Sequence, residues 1–335
     1  MAIRAYAAEE KGGEFRDFEY DPGELGRDEV EVKVSSAGIC HSDVSMLDNE
    51  WGLTRYPFVG GHENVGTVVE KGEGVEHLEV GQTVGVGWFS GSCMTCEWCV
   101  GGKHNFCSEG QGTIVGRHGG FAERLRCHKT WAIPIPDGVA RDDMGPLLCG
   151  GITVYTPIAE FGLEPAHRVG VVGIGGLGHM AVMMANKWGC EVTAFTTSMD
   201  KADELRELGA HRVVNSKEPS ELKKIEGSLD MVISTVNVSL DWGAYLAALR
   251  PEGRLHTVGA VLEPMEIKAF DLIMGGKSVS GSPTGNPGRM SEMLGFCARH
   301  GIAPVTEHYP MSEINDAFER LRAGKARYRI VLDAD

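Results

Sequence analysis

Along the first 146 residues, apolar and polar positions alternate in short runs. "DEVEVKVSSAGI" (28–39), "GTVVEKG" (66–72) and "GQTVGVGW" (81–88) are short β-patterned runs between glycine turns, the first and last with a period of two. That period is the mark of strands with one face in a core. Many short strands separated by turns predict a β-rich domain, closed into a partly open barrel. The rhythm then changes. Val169 to Val172 form an unbroken apolar run, as in a parallel strand covered on both faces. Met180, Ala181, Met184 and Trp188 follow at helical spacing, and "DMVISTV" and "GRLHTVGA" read as later strands. Alternating strands and helices predict a doubly wound parallel sheet over 147–282. The remaining segment, 283–335, carries a helical pattern in "MSEINDAFERLRAGK" and a strand in "YRIVL". The expected class is α/β, with no internal repeat and no long linker.

Composition narrows the function classes. Hydrophobic residues make up 42% and charged residues 24%, ordinary for a globular protein. The 47 acids against 32 lysines and arginines leave a net charge of −15, which disfavours nucleic acid and anionic membrane as partners. No apolar run approaches the roughly 18 residues of a membrane span. "MAIRAYAAEEKGGEF" lacks the basic and apolar regions of an export signal, so a cytoplasmic location is expected.

Nine cysteines then need an explanation. Four of them, Cys93, Cys96, Cys99 and Cys107, fall in the loop 91–107 with the spacing C-x2-C-x2-C-x7-C. In a reducing compartment such a cluster points to metal rather than to disulfides. Four thiolates complete a tetrahedron around zinc and leave no open position, so the role would be structural. An iron–sulfur cluster uses the same donors and stays as an alternative. The loop is glycine-rich and polar, unable to build a core of its own.

A reactive centre must lie elsewhere. Cys40, His62 and Cys149 each sit in a glycine-flanked apolar setting. Two thiolates and an imidazole suit a zinc site with one open position. Spacing does not pair residues so far apart in the chain, and a lone Cys149 would be read as a small buried hydrophobe.

Downstream, "RVGVVGIGGLGHMAV" places Gly173, Gly175 and Gly178 between a predicted strand and a predicted helix. In that context G-x-G-x-x-G is a dinucleotide fingerprint. Backbone N–H groups of the loop, through Gly176 and Leu177, would meet the pyrophosphate at the helix N-terminus. An NAD site carries Asp or Glu about twenty residues further on, to bind the ribose 2′-hydroxyl. Here "AFTTSMDK" puts Thr196 at that place, with Thr197, Ser198 and Lys201 after it. Hydroxyls and a lysine suit a 2′-phosphate instead, so NADP(H) is the expected cofactor. A plain polar turn is the competing reading.

"GHENVGTVVEKGEGV" fits the zinc-containing alcohol dehydrogenase signature G-H-E-x2-G-x5-G-x2-V at Gly61, His62, Glu63, Gly66, Gly72 and Val75. The resemblance runs over essentially the whole chain. "GICHSD", "NEWG" and "GPLLCGGITV" resemble the cinnamyl alcohol dehydrogenase branch of the medium-chain superfamily, and within it bacterial broad-specificity NADPH-dependent aldehyde reductases. That resemblance implies a GroES-like domain over 1–146 holding the four-cysteine lobe, a Rossmann domain over 147–282, and a tail, 283–335, that returns to the first. It implies Cys40, His62 and Cys149 as ligands of a catalytic zinc and the four clustered cysteines as ligands of a structural one, two ions per chain. It makes Glu63 an acid behind the ligands or a transient ligand, and Asp43 the group that orients the His62 ring.

By the same resemblance Ser42 is the hydroxyl that passes a proton to or from the substrate oxygen, with a helix N-cap as its bland alternative. Many relatives end this relay on a histidine five residues after the first cysteine ligand, where this chain has Ser45. His41, beside the ligand, is a candidate for the cofactor pyrophosphate, with a substitute end of that relay as the alternative. Trp51, Trp88 and Phe89 are candidates for the substrate pocket, with ordinary core packing as the alternative. The implied reaction is reversible hydride transfer between NADPH and an aldehyde, in a homodimer paired through the run "LIMGGKSVSGSPTG". Two rivals are an NAD-dependent alcohol or polyol dehydrogenase and a zinc-stabilised binding protein. Cys149 and Thr196 weigh against the first, and an open metal site against the second.

Overall fold

A computed structural model describes residues 2–335. The chain divides into two compact units. One holds the chain up to Ile152 together with Thr284–Asp335, and the other is Thr153–Pro283.

The first unit opens with a hairpin, β1 (Ile3–Ala8) and β2 (Phe15–Tyr20), paired antiparallel. The long strand β3 (Glu29–Ile39) leads directly into helix α1 (His41–Leu47). Strands β4 (Asn64–Lys71) and β5 (Thr83–Val86) follow, then the short β6 (Phe89–Gly91). Helix α2 (Glu97–Val100), in the cysteine-rich loop, is a single turn. Strands β7 (Gln111–Gly112), β8 (Arg124–His128) and β9 (Ile133–Pro134) complete this stretch. The alternation read from sequence is visible in β3. Val30, Val32 and Val34 are buried, and the core they enter includes Ile3, Phe15, Val84, Phe121 and Leu125. Burying each such side chain stabilises by about 1.5–3 kcal/mol.

The second unit begins within helix α3 (Gly150–Glu160). Strand and helix then alternate: β10 (Arg168–Val172), α4 (Gly178–Trp188), β11 (Glu191–Thr196), α5 (Ala202–Glu207), β12 (Arg212–Asn215), α6 (Pro219–Lys223), β13 (Leu229–Ser234), α7 (Trp242–Ala248), β14 (Leu249–Thr257), α8 (Ala269–Ile273) and β15 (Ser278–Gly281). The six strands form one parallel sheet in the order β12-β11-β10-β13-β14-β15. The order reverses at β10, and in such sheets ligands gather at the carboxyl ends beside that reversal. Met180, Ala181 and Met184 bury the inner face of α4. The run "LIMGGKSVSGSPTG" is less extended than its pattern predicts. Leu272 and Ile273 belong to α8, and Gly276 turns the chain at a φ of 58° before the short edge strand β15.

The tail adds α9 (Pro287–His300), β16 (Thr306–Pro310), α10 (Ile314–Arg322) and β17 (Arg329–Asp333). It completes the first unit's seven-stranded sheet, ordered β16-β17-β3-β4-β5-β9 with β8 beside β3. β17 lies antiparallel to β3, Ile330 opposite Ile39. The last strand of the chain therefore runs alongside the residues that lead into Cys40. No helix among the described residues is long and apolar enough to cross a membrane.

Candidate metal and cofactor sites

Where β3 ends, Cys40 caps α1 in an extended conformation. Asp43, in the first turn of that helix, accepts the Cys40 N–H on Oδ2 at 2.9 Å. Its other oxygen accepts the Gly61 N–H at 2.9 Å and lies 3.0 Å from His62 Nδ1. One fully buried carboxylate thus ties the helix start, the glycine turn and the imidazole together. Gly61 holds a φ of 91°, and a Cβ there would meet the Phe121 backbone nitrogen at 2.7 Å, so only glycine fits. Cys149 follows the single turn Gly145–Leu148.

These elements gather the Cys40 sulfur, a His62 ring nitrogen, a Glu63 carboxylate oxygen and the Cys149 sulfur within 4.8 Å of one another. His62 Nε2 is buried with no hydrogen-bond partner among the described residues, although Nδ1 is satisfied by Asp43. A buried ring nitrogen without a partner is costly unless something else engages it. Two thiols and that nitrogen are a soft donor set that fits zinc. The neighbouring Cys149 thiol, with Arg329 and His62 beside it, holds the Cys40 thiol well below its usual range despite its burial. Burial disfavours the charged His62 ring, but Asp43 and Cys40 together outweigh it and raise the ring's pKa.

Glu63, within reach of this donor set through a carboxylate oxygen, also pairs with a residue that sequence reasoning missed. Arg329 Nη2 lies 2.5 Å from Glu63 Oε1 and also donates to the Ile39 carbonyl at 3.2 Å. Burial pushes the Glu63 carboxyl up to about 7, with Arg329 opposing the shift. Gly38 makes room for it, since a Cβ there would lie 2.1 Å from Glu63 Oε2. In sequence Arg329 is one polar position at the head of an apolar strand; only the pairing of β17 with β3 brings it to Glu63.

Ser42 lies within the first turn of α1, with Cys40 at the N-cap, and its Oγ is 3.8 Å from the Cys40 sulfur. Ser45 is buried and His41 is exposed at the start of the same helix. Trp88 stands edge-on to His62 at 5.0 Å between ring centroids, and Trp51 packs on Trp88 at 5.9 Å. Phe89 packs instead on Trp131 at 5.1 Å. Trp88, Phe89, Trp131, Pro287 and Met290 line a small pocket.

The sulfurs of Cys93, Cys96, Cys99 and Cys107 also lie within 4.8 Å of one another. Backbone N–H groups of Thr95 and Cys96 lower the Cys93 thiol to about 6, which favours a thiolate there. All nine cysteines are free thiols. Four convergent sulfurs with no carboxylate among them fit a closed zinc site.

In the other unit the glycine loop joins β10 to α4. Gly173 has a φ of 86°, and a Cβ on Gly178 would lie 2.0 Å from the Gly173 carbonyl oxygen, so the turn closes only with glycines. Open space lies over Gly175. This is a cradle suited to a dinucleotide pyrophosphate, with Gly176 and Leu177 completing the turn. Thr196 ends β11 and is buried, while Thr197 is exposed and Ser198 partly so. The Thr196 hydroxyl accepts the Ser198 N–H at 3.1 Å, which fixes the turn that leads to Lys201.

Comparison with known proteins now adds to this geometry. Residues 26–137 match the alcohol dehydrogenase GroES-like domain, and residues 176–299 match the zinc-binding dehydrogenase family. The chain is 52% identical over 330 residues to an aldehyde reductase, AdhA, of Synechocystis sp., covering 98% of both proteins. A cinnamyl alcohol dehydrogenase structure from Sorghum bicolor superposes with a TM-score of 0.95 at 38% identity, covering 99% of this chain and 98% of that one. A cinnamyl alcohol dehydrogenase from Helicobacter pylori, solved in complex with NADP(H), superposes with a TM-score of 0.92 at 30% identity, with coverage of 99% and 98%.

Proposed function

The chain belongs to the zinc-containing medium-chain alcohol dehydrogenases, in their cinnamyl alcohol dehydrogenase branch, and from that premise we propose an NADPH-dependent aldehyde reductase that interconverts aldehydes and alcohols. The observation that carries the chemistry is the buried set Cys40, His62 and Cys149, with His62 Nε2 lacking a hydrogen-bond partner among the described residues. We propose two zinc ions per chain, one in that set and one held by Cys93, Cys96, Cys99 and Cys107.

When bound, the first zinc supplies Lewis acidity toward a carbonyl oxygen and the nicotinamide supplies a hydride. The protein's own residues do the rest. Asp43 holds the His62 ring so that Nε2 faces the two thiols. Trp88, edge-on to His62, and Trp51 behind it form an apolar wall for the substrate's carbon chain or ring and exclude water. The Ser42 hydroxyl, beside Cys40, passes a proton to the nascent alcohol oxygen and takes it back in oxidation. Ser45, buried, stands where many relatives end this relay on a histidine, so the relay has no histidine at that position and leaves Ser42 as its protein hydroxyl.

The NADPH preference rests on Thr196, Thr197, Ser198 and Lys201 standing where an NAD site has an acid. His41, exposed at the head of α1, is assigned to the pyrophosphate. We further propose a homodimer. β15 is an edge strand, and Phe270, Ile273 and Met274 beside it are each at least 67% exposed. An unpaired edge with apolar neighbours is a liability that pairing with a second copy removes. A cytoplasmic location agrees with the free thiols. The decisive experiment combines zinc analysis with steady-state reduction of an aliphatic and an aromatic aldehyde by NADPH. Fewer than two zincs per chain, or no NADPH oxidation with either aldehyde, would overturn the reading.

A further inference from the structure

The Thr196 hydroxyl is spent on its own turn. It accepts the Ser198 N–H and lies 3.3 Å from the Ser198 carbonyl oxygen. Thr196 is also 8% exposed, so it offers little to a phosphate from its side chain. Charge for a 2′-phosphate must come from groups around it.

The neighbouring strand supplies one. β12 runs parallel to β11 with Asn215 opposite Thr196, and the Ser216 N–H donates to the Thr196 carbonyl at 2.9 Å. The chain leaving β12 is therefore fixed directly beside the end of β11. Asn215 Oδ1 accepts the Lys217 N–H at 3.1 Å, and the Asn215 carbonyl accepts the Glu218 N–H at 3.2 Å, which curls residues 215–218 into a tight turn. The Ser216 side chain is hydrogen-bonded to the buried Tyr245 and anchors that turn from below. Lys217 stands at its crest, exposed, and its ammonium enters no ion pair among the described residues. Both strand ends lie at the carboxyl edge of the parallel sheet, where such folds bind nucleotides.

We infer that Lys217 is a second determinant of cofactor choice: its ammonium, presented beside the end of β11 by the anchored turn at 215–218, adds positive charge to the 2′-phosphate subsite. The inference rests on the NADPH reading above. Two strands then contribute to one subsite, Ser198 and Lys201 from the turn after β11 and Lys217 from the turn after β12. Glu218, the next residue and also exposed, brings an opposing charge to the same turn. The two neighbours should therefore act with opposite signs.

The test is equilibrium binding of NADPH, NADH and 2′,5′-ADP to the full-length, zinc-loaded protein, followed by nucleotide or tryptophan fluorescence. Lys217→Ala should raise the Kd for NADPH and for 2′,5′-ADP about three- to tenfold and leave the Kd for NADH unchanged. Lys217→Arg should keep wild-type affinities, and Glu218→Gln should tighten NADPH. Those differences should shrink as salt rises, because exposed charges are screened over about 8 Å at physiological ionic strength. If Lys217→Ala weakens both cofactors equally, the turn has only a structural role and the inference falls. If wild type prefers NADPH and Lys217→Ala preserves that preference in full, the lysine is not in the subsite, while the cofactor reading stands. If wild type binds NADH as tightly as NADPH, the cofactor reading itself fails.

Discussion

Arg329, on the last strand of the chain, forms an ion pair with Glu63, the residue after His62, and the two side chains are 4% and 0% exposed. Glu63 is the carboxylate that compensates the guanidinium, whose Nε has no hydrogen-bond partner among the described residues. Removing one member of a buried pair leaves the other charge uncompensated, at a cost of about 3–5 kcal/mol. Arg329→Gln should therefore lower unfolding stability by about that amount in urea. A double variant, Arg329→Gln with Glu63→Gln, should recover part of it, because no buried charge is left behind. An unchanged denaturation midpoint in the single variant would show that the pair contributes nothing.

Asp43 makes three contacts, to the Cys40 N–H, the Gly61 N–H and His62 Nδ1. Asp43→Asn keeps the shape but loses the charge and one acceptor. Zinc affinity at the Cys40–His62–Cys149 set should fall about 10–100-fold, the usual penalty for losing a group that orients a ligating histidine. Competition with a chelator should show one zinc lost early and one retained. Early loss of both, or of neither, would contradict this division of labour.

The two cysteine sets should respond differently to a single ligand change. Cys149→Ser should leave a folded protein with about one zinc and no turnover. Cys96→Ser should lower the melting temperature and promote aggregation, since binding energy at a closed site is folding energy. Full activity in Cys149→Ser, or an unchanged melting curve with two zincs in Cys96→Ser, would reverse the assignments.

His308 lies between two carboxylates, with Asp143 Oδ1 3.1 Å from Nε2 and Asp333 Oδ2 3.0 Å from Nδ1. Burial disfavours its charged form, but the hydrogen bonds to Asp143 and Asp333 prevail and raise its pKa above 6.5. A raised folded pKa gives stability that is complete below the unfolded value and is lost as pH rises through the folded one. The wild-type melting temperature should therefore decline from about pH 6.5 upward. His308→Gln should flatten that part of the profile. An identical slope in the variant would exclude His308 as its source.

Local patterns made much of this legible in the chain. The spacing of Cys93, Cys96, Cys99 and Cys107 is short enough for one loop to gather its own donors. The glycines at 173, 175 and 178 lie between an apolar run and a helical pattern, so the turn announces itself. What could not be read depends on contacts between distant segments. Arg329 reaches Glu63 only because β17 pairs with β3, and nothing in "YRIVL" marks that register. The turn that carries Lys217 follows the end of β11 closely only because β12 lies beside β11 and Ser216 donates to the Thr196 carbonyl. The helical turn of Leu272 and Ile273 was hidden for a different reason: a short apolar run fits a strand or a helix equally well, and the turn at Gly276 decides between them.

Cofactor choice is the property on which sequence and structure meet most directly. Thr196 closes β11 at the place where an acid would bind the 2′-hydroxyl of NAD, and the turn it fixes carries Ser198 toward Lys201. Thr196→Asp should act in two ways. A carboxylate there repels a 2′-phosphate, and it also offers the 2′-hydroxyl of NADH an acceptor. Charge-assisted bonds to a phosphate are worth roughly 1.5–3 kcal/mol each. Wild type should therefore favour NADPH in kcat/KM by about tenfold to a hundredfold or more, and the variant should shrink or reverse that ratio while keeping both zincs. Steady-state kinetics with both cofactors and one aromatic and one aliphatic aldehyde measure it. A wild type that uses NADH as well as NADPH would reduce the Thr-Thr-Ser stretch to a polar turn. A variant that loses activity with both cofactors alike would show that the substitution broke the Thr196–Ser198 turn, and Thr196→Asn would then separate the charge from the geometry.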